Sequence, residues 1–144
     1  MVYEERNTWA SLVVSIIGVA VYLVIVLPQV ASTPAADIDW FWPMLWTIAG
    51  SIVVTIVLSI LWGMLAGMRD PDGAGASDVR DREISRMGDR VGQAFLVIAA
   101  LGVLWLCAIE ADWFWIANAT YLGLALSAIV GGIARVIAYR RGLV

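Results

Sequence analysis

Four long stretches without a charged residue constrain this chain of 144 residues more than any other feature. They cover residues 7–36, 40–68, 91–109 and 113–134. Each is long enough for a membrane-spanning helix, which needs about 20 apolar residues. A bilayer offers no water to unpaired backbone groups, so helices are the expected spanning structure.

Composition supports a membrane location. The chain is 62% hydrophobic and 15% charged, whereas soluble domains are roughly 25% charged. We therefore predict an all-α polytopic membrane protein with four transmembrane helices. The predicted helices are 9–27, 44–68, 91–109 and 114–139. Pro28 is expected to end the first helix, and Pro43 suits the first turn of the second.

The tetrapeptide Asp-Trp-Phe-Trp occurs at residues 39–42 and again at residues 112–115. Because tryptophan is rare, the match indicates an internal duplication. We predict one membrane domain, 1–144, built as two parallel helical-hairpin repeats. The parts are a first hairpin at 9–68, a cytoplasmic loop with a short helix at 69–90, and a second hairpin at 91–139.

All nine basic residues are arginines, and all fall on one side of this topology. They lie before the first span, between the second and third, and at the end of the fourth. In the other two connections, every charged residue is acidic. The positive-inside rule then places both termini and the middle loop in the cytoplasm. Expected partners are membrane lipids, with no nucleic acid.

Small and hydroxylated residues form two stripes at helical spacing on the second and fourth spans. Such stripes are typical of close helix packing, within the bundle or between protomers. A hydroxyl-lined pathway is the alternative. The stripes consist of Thr47, Ser51, Thr55 and Ser59, and of Gly123, Ser127 and Gly131.

Six of the eight tryptophans are predicted near the outer interface. They favour an aromatic belt at headgroup depth over an aromatic cage for a cation. Five residues in the outer half are candidates for a shallow external cleft. These are Tyr22, Trp46, Glu110, Asn118 and Tyr121.

The chemistry that the sequence lacks argues against catalysis and proton coupling. No ionisable residue lies at the middle of a span, where proton relays usually have one. The chain has no histidine and one cysteine, Cys107, so no Cys/His metal site or Ser–His pair is expected. We predict no enzymatic activity and no cofactor.

The segment before the third span is the one soluble stretch with a pattern. Ser77 or Asp78 is expected to cap a helix running into that span, with Asp89 paired to Arg86. The default interpretation is a solvated, self-paired helix. The functional alternative is a docking surface for a protein partner. Its candidate contacts are Arg80, Arg82, Glu83 and Arg86.

Residues 78–84, Asp-Val-Arg-Asp-Arg-Glu-Ile, resemble the acidic–basic run before the third span of uncharacterised small four-helix integral membrane proteins of bacteria. Residues 3–9 and 115–119 resemble such proteins of the actinobacterial type. The resemblance implies this topology in a bacterial cytoplasmic membrane and no particular activity. We expect a non-enzymatic homo-oligomer or an accessory subunit docking a partner. The alternative is a small pore or transporter for a small or lipophilic compound.

Overall fold

A computed structural model describes the backbone of residues 3–69 and 79–141, and within these ranges all side chains except those of residues 3, 4, 66, 67 and 69. The described residues form four α-helices, a short 3-10 helix at Ala35–Asp37 and no strand. The helices are α1 (Tyr3–Ser32), α2 (Phe41–Arg69), α3 (Val79–Ala108) and α4 (Trp113–Arg141). All four are long and apolar enough to cross a membrane. The prediction of an all-α protein with four candidate spans is confirmed.

The first helix continues past the proline that was predicted to end it. Pro28 lies inside α1, which runs on to Ser32. The proline removes one backbone donor, but neighbouring groups keep the last turn bonded. The Thr33 amide donates to the Gln29 carbonyl at 2.8 Å, and the Ser32 hydroxyl donates to the Pro28 carbonyl at 3.1 Å. The predicted helix end at Pro28 is therefore wrong, whereas Pro43 does lie in the first turn of α2.

The charged segment that precedes the third span is part of the same helix. α3 begins at Val79 and continues without a break to Ala108. Residues 79–90 therefore lengthen the third helix by about three turns. The expected cap at Ser77 or Asp78 lies outside the described residues.

The helices pack as a row in the order α2, α1, α4, α3. Adjacent helices in this row are antiparallel. Among the described residues, α2 packs extensively only on α1, and α3 only on α4. No residue in the most apolar 18-residue stretch of α2 is buried, against 33% in α4. The row is open, with α2 at its most exposed edge.

Two ends of the bundle differ in composition, and we name them by that difference. The arginine end comprises the first turns of α1 and α3 and the last turns of α2 and α4. The tryptophan end comprises the opposite turns and their connections. A cluster of buried side chains lies at the tryptophan end between α1, α4, the first connection and the start of α2. It contains Tyr22, Val26, Ile38, Met44, Phe114 and Tyr121.

Glycines bring α3 and α4 into backbone contact. A Cβ atom on Gly131 would lie 2.9 Å from the Gly88 carbonyl oxygen, and a Cβ atom on Gly88 equally close to the Gly131 carbonyl oxygen. A Cβ atom on Gly92 would lie 2.9 Å from the Ser127 carbonyl oxygen. No larger side chain fits at these positions without moving the helices apart. This contact holds the second hairpin together.

Candidate functional site

Three of the five residues expected to line an outer cleft form a closed core instead. Tyr22 has no exposed surface, and its hydroxyl donates to Asn118 Oδ1 at 2.6 Å. The Asn118 amide donates to the Phe114 carbonyl at 2.8 Å. The rings of Tyr22 and Tyr121 meet edge to face, with centroids 4.8 Å apart. The polar groups of Tyr22 and Asn118 are hydrogen-bonded to each other, so this buried cluster joins α1 to α4.

The other two residues lie apart from that core. Trp46 lies near the start of α2 and is 70% exposed. Glu110 is exposed in the turn between α3 and α4. The expectation of one cleft joining all five residues is therefore corrected: burial of the two tyrosines separates them from Trp46.

A groove with a volume of about 610 Å³ lies between α1 and α2. It begins at the tryptophan end and extends to the middle of both helices. Its walls are overwhelmingly apolar, and it opens toward the space that lipid would occupy. The residues that line it are Val14, Ile17, Gly18, Val21, Ile25, Asp39, Trp42, Pro43, Trp46, Thr47, Gly50, Ser51 and Val54.

Small side chains form the middle of this groove. Gly18 of α1 packs on the Ser51 side chain of α2, so the helices meet at that point. At Gly50, the residue before Ser51, an added Cβ atom would meet nothing within 4 Å. The Thr47 hydroxyl bonds to the Pro43 and Met44 carbonyls of its own helix, at 2.9 and 3.0 Å. The middle of the groove therefore presents a narrow, uncharged surface that another molecule can approach closely.

One carboxylate and two indole rings mark the end of the groove. Asp39 is exposed and lines the groove beside Trp42 and Trp46. Its counterpart in the second tetrapeptide, Asp112, acts differently. The Asp112 carboxylate accepts a hydrogen bond from the Phe114 amide at 2.9 Å, which is an N-cap of α4. The Asp39 side chain therefore lines the groove, whereas the Asp112 side chain caps its helix.

The predicted small-residue stripes face neighbouring helices of the same chain. The Ser59 hydroxyl donates to Asn7 Oδ1 of α1 at 2.7 Å. The Ser127 hydroxyl donates to the Gly92 carbonyl of α3 at 2.7 Å. Gly123 packs against Ala99 of α3. Thr55 is half-buried on α2.

Sequence reasoning missed the partners on α3. Gly88 and Gly92 have the small-xxx-small spacing that marks helix contacts in membranes, so the signal was present. The charged character of residues 78–90 concealed it. Asn7 gave no comparable signal, because a single amide near a helix start has no periodicity.

Ion pairing at the arginine end also differs from expectation. Asp89 pairs with Arg135 of α4, not with Arg86 of its own helix. The Arg135 side chain lies against Gly88, whose missing side chain leaves room for it. Arg140 and Arg6 lie over the rings of Trp9 and Trp62, at 5.3 and 5.9 Å from the ring centroids. The four candidate partner contacts all lie exposed in the first turns of α3. They are Arg80, Arg82, Glu83 and Arg86.

No protein-family model, curated protein or solved structure matches the chain. Function therefore has to be argued from the geometry. Within the described residues, no group of three or more His, Cys, Asp and Glu side chains is placed to hold a metal ion. The groove between α1 and α2 remains the principal candidate site.

Proposed function

We propose that the protein is a non-enzymatic component of a membrane that associates with a second copy of itself through the groove between α1 and α2. The observation that carries the proposal is Gly50. It lies in an apolar groove on the most exposed helix, with open space where its side chain would be.

A small residue facing lipid stabilises nothing within one chain. Between helices in a membrane, however, small residues are favoured because they permit close backbone approach and extensive van der Waals contact. Gly123 is the counterpart of Gly50 in the second hairpin, 73 residues later, and it is covered by Ala99. A helix from another copy would give Gly50 equivalent cover.

The open row of helices supports the same occupant. α2 has a single extensive neighbour, and the groove runs along its side. A two-fold axis beside α2 would place the same surface of each copy against the other, which is the commonest closed arrangement of identical subunits. The assembly would then cover both exposed α2 helices at once.

Substitution of Gly50 by phenylalanine tests this assembly. The new ring fills the groove without meeting an atom of its own chain near the Cβ position. We expect Gly50→Phe to fold as wild type but to shift the dimer–monomer midpoint at least about tenfold toward monomer, a loss of about 1.4 kcal/mol. Energy transfer between donor- and acceptor-labelled copies in dilute liposomes measures that midpoint.

Gly102→Phe is the matched control, because Gly102 is also exposed on a helix with nothing within 4 Å of an added Cβ atom. It lies on α3, outside the groove. Dissociation by Gly102→Phe with no effect of Gly50→Phe would move the interface to α3. A wild-type chain that stays monomeric at all lipid dilutions would remove the proposal.

The orientation is proposed from the arginines, with both termini in the cytoplasm of a bacterial cell. Single cysteines at Asp37 and Asp112, in a Cys107→Ala background, should react with impermeant thiol reagents in intact cells. A cysteine at Gly75 should react only after lysis. The reverse pattern would invert the topology.

A second candidate function is binding and passage of a lipophilic cation. It is favoured by Asp39, Trp42 and Trp46 at the end of a groove whose volume lies within the roughly 300–1,000 Å³ of small-molecule sites. Asp39→Asn should then weaken binding of a fluorescent lipophilic cation about tenfold. Asp37→Asn, two residues away and outside the groove, should not. Equal binding by both variants would exclude this role for Asp39.

An accessory role would use the exposed charges at the start of α3. A variant with Arg80, Arg82 and Arg86 all changed to glutamate should lose any partner recovered with the wild-type chain in mild detergent, while keeping its self-association. Recovery of the same partner by both chains would place the docking surface elsewhere.

A further inference from the structure

A second cavity lies at the arginine end of the bundle, whereas the groove begins at the tryptophan end. Its volume is about 260 Å³, and its walls are polar. Three helices contribute to it: the first turns of α1, the first turns of α3 and the end of α4. The residues that line it are Asn7, Thr8, Ser11, Asp81, Arg82, Ser85, Arg135 and Tyr139.

Asp81 is the unusual member of this set. Only 9% of its surface is exposed, and it forms no hydrogen bond or ion pair with any described residue. Its position in the first turn of α3 is favourable for a carboxylate, because helix N-termini carry partial positive charge. That field does not replace a direct partner for a charge removed from water. Asp81 therefore brings a negative charge to the wall of the cavity.

Arg135 presents the complementary group. One of its terminal nitrogens pairs with Asp89, and its side chain lines the cavity. Arg82 brings a second guanidinium to the same cavity. Asp81 and Arg135 thus line one cavity, and no ion pair joins them.

We infer that this cavity binds a small zwitterion that carries both an ammonium and a carboxylate group. The ammonium would donate to Asp81, and the carboxylate would accept from the Arg135 guanidinium. A simple cation would be attracted by Asp81 but repelled by the two guanidinium groups. A simple anion would meet the reverse problem. A molecule with both charges satisfies both ends, and the Ser11 and Ser85 hydroxyls supply neutral hydrogen bonds.

The size of the cavity limits the ligand. Its volume equals that of about eight or nine liquid waters at about 30 Å³ each. It lies below the roughly 300 Å³ at which drug-sized sites begin. An amino-acid-like molecule with a short spacer is the class that fits.

Occupancy would also have a structural consequence. α1 and α3 do not pack extensively on each other, yet both line this cavity. A bound zwitterion would connect them. Because a ligand that binds only the folded state stabilises it, binding should raise the melting temperature of the protein.

The test uses the full chain in lipid nanodiscs at constant ionic strength, with calorimetry for binding and tryptophan fluorescence for melting. The zwitterionic probes are glycine, β-alanine and 4-aminobutyrate, which differ in the separation of their charges. Methylammonium and acetate carry one charge each. We expect saturable binding and a raised melting temperature with at least one zwitterion, and binding at least about tenfold weaker for both single-charge probes.

Asp81→Asn keeps the shape of the side chain and removes its charge, so it should weaken zwitterion binding about tenfold or more. Glu83→Gln makes the same charge change on an exposed residue of the same helix and should bind like wild type. If Asp81→Asn does not fold, Ser11→Ala replaces it and should weaken binding severalfold. Heat and melting curves unchanged by every zwitterion would mean that water alone fills the cavity. Equal binding by the Asp81 variant, or by methylammonium or acetate, would overturn the assignment.

Discussion

The two hairpins carry the same tetrapeptide at the start of their second helices, but their helices pack differently. In the hairpin of α3 and α4, the backbones touch at Gly88, Gly92 and Gly131. In the hairpin of α1 and α2, the helices meet at Gly18 and Ser51 and then diverge around a groove of about 610 Å³. In a membrane both arrangements are tolerated, because lipid is as apolar as the side chains it replaces. The hairpin of α1 and α2, whose helices diverge, therefore has an apolar surface that another molecule can contact.

Glycines that correspond between the hairpins show how the difference arises. Gly123 is covered by Ala99, whereas its counterpart Gly50 faces open space. Gly18 packs on Ser51, whereas Gly102, 84 residues later, has no neighbour within 4 Å. In each pair one glycine makes a close contact and the other does not. Similar residues at similar positions therefore do not imply similar contacts.

The largest effect that separates the hairpins should come from Gly131→Leu. A side chain there must displace the Gly88 carbonyl, only 2.9 Å from the Cβ position, so α3 and α4 are forced apart. Overpacking of a tight core costs typically about 1–3 kcal/mol and occasionally more. We expect a loss of at least about 3 kcal/mol in the free energy of unfolding, measured by SDS titration in mixed micelles, or failure to fold.

Gly102→Leu and Gly50→Leu are the controls, because neither position has an atom within 4 Å of an added Cβ. Both should change the unfolding free energy of the monomer by less than about 0.5 kcal/mol. If Gly131→Leu is as mild as these two variants, α3 and α4 are not held by glycine contact, and the contrast between the hairpins disappears.

The limits of prediction from the sequence follow the same division. Spans were predictable because absence of charge over about 20 residues has few other meanings. Tertiary placement was harder. Tyr22, Asn118 and Tyr121 appeared to be cleft residues because they are polar or amphipathic, but a hydrogen bond between the first two lets them be buried. Asp89 lies three residues after Arg86 in the sequence but pairs with Arg135 of α4. The close approach of α4 to α3 at Gly88 brings Arg135 within reach.

A smaller effect should distinguish the two aspartates of the tetrapeptides. Asp112 caps α4 through the Phe114 amide, so Asp112→Ala should cost about 1 kcal/mol of unfolding free energy. Asp39 lies in the groove and makes no such bond to its helix, so Asp39→Ala should cost less than about 0.5 kcal/mol. The same SDS titration measures both. Equal losses would mean that the two motifs play the same part, and that Asp39 is not free to serve the groove.

The smallest effect, and the only stabilising one, is expected in the short connection of the second hairpin. Glu110 lies two residues after the end of α3, in the left-handed region, with φ at 53°. Its amide donates to the Cys107 carbonyl at 3.1 Å, and the next amide, that of Ala111, donates to the Leu106 carbonyl at 3.0 Å. These two bonds form a Schellman motif, whose left-handed position is usually occupied by glycine.

For a residue with a Cβ atom, the left-handed conformation costs roughly 1–2 kcal/mol. Glycine avoids this strain but loses more backbone entropy on folding. The balance predicts that Glu110→Gly raises the unfolding free energy by about 0.5 kcal/mol. Glu110→Ala separates the backbone from the charge: it removes the carboxylate, keeps the Cβ atom and should leave stability nearly unchanged. Because the first hairpin closes through a longer connection with a 3-10 helix, it offers no equivalent gain. An alanine variant as stable as the glycine variant would show that the carboxylate, and not the backbone, sets the stability of this turn.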